Sequence, residues 1–145
     1  MHTLICLRKA APHYPARELG LRVEMAEKFL LDRRCADGGW NYGNRRVFRV
    51  ELPSFEESTA MALLALRGAQ GADLRTGVDR ARVFWSARPS PLARAWLSIS
   101  LRNHGLTIEN CVPAQTVRRD VLLTALEALG CENGRYRLLN PQVAA

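Results

Sequence analysis

The side chains best suited to hold a metal or attack an electrophile are four cysteines and three histidines, and none falls at a working spacing. Cys6, Cys35, Cys111 and Cys131 lie far apart without a C-x-x-C pair, and His2, His13 and His104 add no neighbouring ligand. Zinc sites draw on closely paired ligands, so no metal is expected. The cysteines read instead as buried or half-buried free thiols of a reducing compartment. Nucleophile and phosphate-binding patterns are also missing: there is no G-x-S-x-G elbow and no G-x-x-x-x-G-K-[ST] loop. No catalytic residue is assigned within the chain, and no cofactor is implied.

Charge gives a second kind of chemistry to weigh. The net charge is +7, and Lys9 and Lys28 are the sole lysines among 21 basic residues. Arginine pairs stand at 33–34, 45–46 and 118–119, but no run reaches five basic residues. Arginines spread over solvated helix faces account for this better than a nucleic-acid surface does. The positive field would still draw in anions such as diphosphates.

These side chains need a scaffold, and the pattern of apolar residues supplies one. A chain of 145 residues suits one domain with a sizeable core. No apolar run approaches the roughly 18 residues that cross a bilayer. Arg8 and Lys9 follow rather than precede the apolar run Leu4–Leu7, unlike a secretory leader. A cytoplasmic location is expected.

The apolar spacing predicts paired helices. Val23-x-x-Ala26-x-x-Phe29-Leu30 recurs as Val78-x-x-Ala81-x-x-Phe84-Trp85, each set lying along one helix face. Leu63-Leu64-Ala65-Leu66-Arg67 echoes Leu4-Ile5-Cys6-Leu7-Arg8 and, more loosely, Ser98-Ile99-Ser100-Leu101-Arg102. The unit is two helices, the second ending in an apolar run followed by Arg. Helices that persist while their linkers vary are typical of stacked helical hairpins.

Punctuation sets the boundaries. A helix from about Arg17 to Arg34 ends at Asp37-Gly38-Gly39. Tyr42, Val47, Phe48 and Val50 fit a short extended segment. Ser54-x-x-Glu57 has the form of a capping box for the next helix, which ends at Gly68 or Gly71. Thr76 is the expected cap of a third helix reaching about Ala87, and Pro91 opens a fourth that closes at His104-Gly105. A last helix runs from about Pro113 to Leu129 and stops at Gly130.

The segment Ala26-x-x-Phe29-Leu30-x-x-x-Arg34-x-x-Asp37-Gly38-Gly39-Trp40 resembles the repeat of terpenoid cyclases and protein prenyltransferase beta subunits, A-x-x-[FY]-L-x-x-x-Q-x-x-D-G-x-[WF]. Arg34 stands where that family has Gln. The resemblance implies an all-α fold, a partial alpha/alpha toroid of helical hairpins amounting to about half of a closed ring. It divides a single helical-repeat domain, 1–145, into a partial helix remnant at 1–13, a first full hairpin at 17–71, a second at 76–105 and a terminal helix at 113–130.

In that family the Gln and Trp tie adjacent outer helices together, so Arg34, Asp37, Gly38, Gly39 and Trp40 are expected to be structural. Gly tolerates the positive φ of a sharp exit, Asp bonds back to nearby amides, and Arg34 has a fork long enough for carbonyls at a helix end. Inner helices line the cavity, which makes Trp96, Tyr42 and Glu57 the ligand-binding candidates. Trp96 doubles as a core side chain, and Glu57 as a cap.

The family's chemistry is not carried over. The chain has no D-x-D-D acid pair, no D-D-x-x-D cluster and no zinc-binding D-x-C. The expectation is a repeat protein without independent catalysis, whose apolar concave surface takes an isoprenoid-like or peptide ligand. Alternatives are half of a split or truncated cyclase or prenyltransferase, and a basic helical-repeat scaffold for protein or nucleic acid. Self-association, or a complementary toroid half, is the expected partner.

Overall fold

A computed structural model describes residues 1–10, 17–69, 71–108 and 120–131. They form α1 (His2–Ala10), α2 (Arg17–Asp32), β1 (Arg46–Val47), β2 (Val50–Glu51), α3 (Glu56–Ala65), α4 (Ala72–Ser86), α5 (Pro91–Asn103) and α6 (Val121–Cys131). The described chain is mostly helical, with one two-stranded antiparallel sheet.

α1, α3 and α5 form one row of neighbours, with α3 packed between the other two; α2 rests on α1, and α4 on both α3 and α5. Composition explains the central place of α3 and α5. Their buried positions include Ser58, Thr59, Ala60, Ala62 and Ala65 on α3 and Ala93, Ala95, Ser98 and Ser100 on α5. Side chains this small let two backbones approach closely, and Leu63, Leu66, Leu97 and Leu101 fill the space left over.

Two apolar clusters share these helices. Leu63, Leu66, Leu97 and Leu101 gather with Trp40 and with Ala81 and Phe84 of α4. Ala95 and Ile99 lie about half a turn round α5 from Leu97 and Leu101, and they meet Leu64 of α3 and Leu123 and Leu126 of α6. α6 therefore packs on the side of α5 turned away from α4.

Several local signals act differently from their sequence reading. Ser54-x-x-Glu57 is not a capping box: α3 begins at Glu56, Phe55 is its N-cap, and no side chain caps it. The Ser54 hydroxyl is engaged by Asp37, where a charge-assisted bond outcompetes a neutral cap. Thr76 is not a cap either, since α4 opens at Ala72 behind Gly71. Its hydroxyl donates back to the Asp73 carbonyl at 2.8 Å. Ser90 caps α5 through the Ala93 amide, Pro91 follows at N1, and Gly105 leaves the helix at φ +78°. α6 continues through Gly130 to Cys131. Residues 11–13 of the expected remnant and 113–119 of the expected terminal helix lie outside the described residues.

Candidate functional site

Side chains from three helices converge on the linker that follows α2. Gly38 adopts φ +92°, and the Cys35 amide closes the turn on the Gly39 carbonyl at 2.8 Å. Gly39 has no room for a side chain: a Cβ there would stand 2.5 Å from Ser54 Oγ and 2.6 Å from Thr59 Oγ1. The chain then delivers Trp40 into the core, where it is 2% exposed. Its indole Nε1 donates to the Leu30 carbonyl of α2 at 2.7 Å, and its backbone amide donates to Thr59 Oγ1 of α3 at 3.0 Å. The ring lies flush against α4, so that a Cβ on Gly77 would meet Trp40 Cζ3 at 2.7 Å. One residue thus joins α2, α3 and α4.

Asp37 organises the polar half of the joint. Oδ2 accepts from the Ser54 amide at 3.1 Å and the Ser54 hydroxyl at 2.8 Å, while Oδ1 accepts from the Gly39 amide at 3.2 Å. Arg80 of α4 completes the cluster, with Nη2 3.2 Å from Asp37 Oδ2 and Nε donating to Ser54 Oγ at 3.2 Å. Desolvation by burial is the largest single influence on this carboxyl and pushes its pKa up. The bonds from Ser54 and Gly39 and the Arg80 charge together outweigh it, and hold the pKa below its ordinary value. Such a carboxylate stays charged and is no proton donor near neutrality.

Arg34 reaches across to the first turns of α4. Its Nη1 donates to the Asp73 carbonyl at 2.8 Å and to Thr76 Oγ1 at 2.6 Å, and Nη2 pairs with the Asp73 carboxylate. An open groove of about 360 Å³ runs between Arg34, Asp37 and Arg80. Arg34 is paired with Asp73 and Asp37 with Arg80, which makes a clasp between helices rather than a poised acid, base or nucleophile. The neighbouring Cys35 is buried, and desolvation, then the Asp37 charge, raises its thiol pKa. An inert thiol is the result. Cys6 is an exposed free thiol.

No protein-family model, curated protein or solved structure matches the chain.

The ligand-binding candidates sit on separate elements. Trp96 is half-buried on α5 and packs against both apolar clusters. Tyr42 is 76% exposed and stacks on Phe55, ring centroids 5.2 Å apart. Glu57 is half-buried in the first turn of α3. Among the described residues no three His, Cys, Asp or Glu side chains gather as a metal site would require. Among the same residues no helix is long and apolar enough to cross a membrane.

Ser54, Thr59, Gly77 and Arg80 belong to the joint without having been singled out for it in the sequence. Gly77 carried a usable signal, since a glycine inside a helix costs about 1 kcal/mol against alanine and calls for a reason. His104, at the end of α5, places Nε2 3.0 Å from the Leu63 carbonyl and ties α5 to α3. Arg8 of α1 pairs with Glu27 of α2 and ties those two helices together.

Proposed function

We propose that the chain is a non-catalytic arc of the terpenoid cyclase and prenyltransferase repeat type, and that it works by pairing with a second copy along α2. Support for the repeat reading comes from the row α1, α3, α5 backed by α2 and α4, and from Arg34 and Trp40, which bridge α2 to α4 at the positions of the family's Gln and Trp. Pairing rests on one observation. Leu21, Met25 and Phe29, spaced one turn apart on α2, are 51%, 71% and 56% exposed.

An apolar stripe of this kind marks an interaction surface. Among the side chains described on this helix, the exposed charges are Glu18, Glu24 and Asp32 against Arg22 and Lys28. That mixture makes α2 a face where two copies of a +7 chain can meet without strong repulsion. α6, at the other end of the row from α2, leaves Val121 and Leu122 82% and 60% exposed as an apolar surface for a ligand. An isoprenoid-like ligand would meet those side chains before Trp96. A reducing compartment such as the cytoplasm fits the reading of the cysteines as free thiols.

Met25→Glu tests the proposal. It should abolish self-association while leaving the helical circular dichroism unchanged, and the unfolding midpoint unchanged at concentrations where the native chain is monomeric. Association that survives the substitution would reject α2 as the contact. For the ligand, a variant keeping Trp96 as its single Trp should show a saturable fluorescence change with farnesyl compounds, and a flat titration would remove that part.

A further inference from the structure

The tip of the β1–β2 hairpin breaks two rules at once. Its two-residue turn consists of Phe48 and Arg49, at φ +49° and +65°. Turns of this kind strongly favour Asn-Gly or Asp-Gly, because both central residues must take the left-handed region. A phenylalanine there is a true outlier, and outliers of this sort collect at functional positions. The second rule concerns burial: Phe48 is 96% exposed, and Val50 beside it is 61% exposed. Neither the backbone nor the core is better off for this arrangement.

Charge surrounds the exposed ring. Arg45, Arg46 and Arg49 occupy the same seven-residue stretch as a single acid, Glu51. Arg46 pairs with Glu51 across the strands at 3.5 Å, and among the described residues Arg45 and Arg49 have no carboxylate partner. The hairpin is held from below. The Leu52 amide donates to the Arg45 carbonyl at 2.8 Å, and Arg33 of the segment after α2 donates to Asn44 Oδ1 at 3.4 Å.

We propose that this tip is a peripheral anchor for an anionic lipid surface, with Phe48 entering the acyl boundary and Arg45 and Arg49 meeting the headgroup phosphates. A single aromatic at a convex tip needs no complementary pocket in a bilayer, which deforms around it. A protein partner would need a cavity shaped for Phe48 and would gain little area from so small a protrusion. Basic residues beside an apolar wedge are the composition that reads anionic leaflets. The anchor is independent of α2 and of the repeat assignment.

Co-sedimentation of the full chain with phosphatidylcholine–phosphatidylserine vesicles, against pure phosphatidylcholine vesicles, tests the assignment. Binding should require the serine lipid and weaken as salt rises. Phe48→Ser keeps the charge at +7, so a general electrostatic attraction would survive it, whereas the anchor should lose roughly tenfold or more in partitioning. Arg45→Ser with Arg49→Ser should cost a similar factor. In Phe48→Trp, brominated acyl chains should quench the new indole. The proposal fails if the chain does not bind serine-containing vesicles at low salt, or if Phe48→Ser binds them as well as the native chain. Retention on polyglutamate that depends on Phe48, with vesicles ignored, would assign the tip to an acidic protein instead and overturn the lipid reading.

Discussion

The joint around Asp37–Trp40 and the hairpin around Phe48–Arg49 belong to one linker, yet they treat the same physical problems in opposite ways. At the joint, the residue with positive φ is a glycine, the large aromatic is 2% exposed, and the carboxylate is ringed by donors. At the hairpin, the residues with positive φ are Phe and Arg, the aromatic is 96% exposed, and two arginines lack a carboxylate partner among the described residues. The first arrangement lowers the energy of the fold. The second raises it, so its use lies outside the fold, and stability measurements separate the two regions.

Trp40→Ala carries the largest expected effect, a loss of about 3–5 kcal/mol in chemical denaturation, because three helices close on that ring. A loss below about 1 kcal/mol would show that Trp40 does not hold the three helices together. Gly77→Ala should come next. Its helix propensity favours Ala, but the clash with the Trp40 ring should reverse the sign and cost about 1–3 kcal/mol. In a Trp40→Ala background the same substitution should become neutral or stabilising, and a double-mutant cycle reads that coupling directly.

Asp37→Asn should cost about 2 kcal/mol, since the bonds from Ser54 and Arg80 lose their charge. The pH dependence has a definite sign. The folded pKa of Asp37 lies below the reference value of 3.8, so the unfolded chain binds the proton more tightly. Its contribution is complete above that value and disappears as pH falls through the folded pKa. Native stability should therefore drop more steeply than that of Asp37→Asn below pH 3.8, and parallel curves would deny the carboxylate this role. The smallest effect has the opposite sign. Phe48→Asn with Arg49→Gly should stabilise the chain by about 1 kcal/mol, because it relieves the turn, while vesicle binding falls.

How much of this was legible in the sequence depends on how far apart the interacting residues are. The helix read over 17–34 is observed as Arg17–Asp32, and Pro91 to His104-Gly105 bounds α5, because apolar period and end signals are local properties. Ser54 is the opposite case. Its spacing to Glu57 satisfies a local rule, but its partners, Asp37 and Arg80, lie 17 and 26 residues away. Gly77 likewise makes sense only beside Trp40. The placement of α6 on the far side of α5 was not readable at all, since Val121–Leu129 is apolar on most faces and names no preferred one. The hairpin was visible as a short extended segment. Its exposure was not, because Val47, Phe48 and Val50 are residues that a sequence reading assigns to the interior.

The pairing of arcs through α2 is tested most directly by light scattering across a wide concentration range. The mass should rise above 16.2 kDa toward twice that value as the native chain is concentrated, with Met25→Glu remaining at 16.2 kDa throughout. A native chain that stays at 16.2 kDa at every concentration would contradict it.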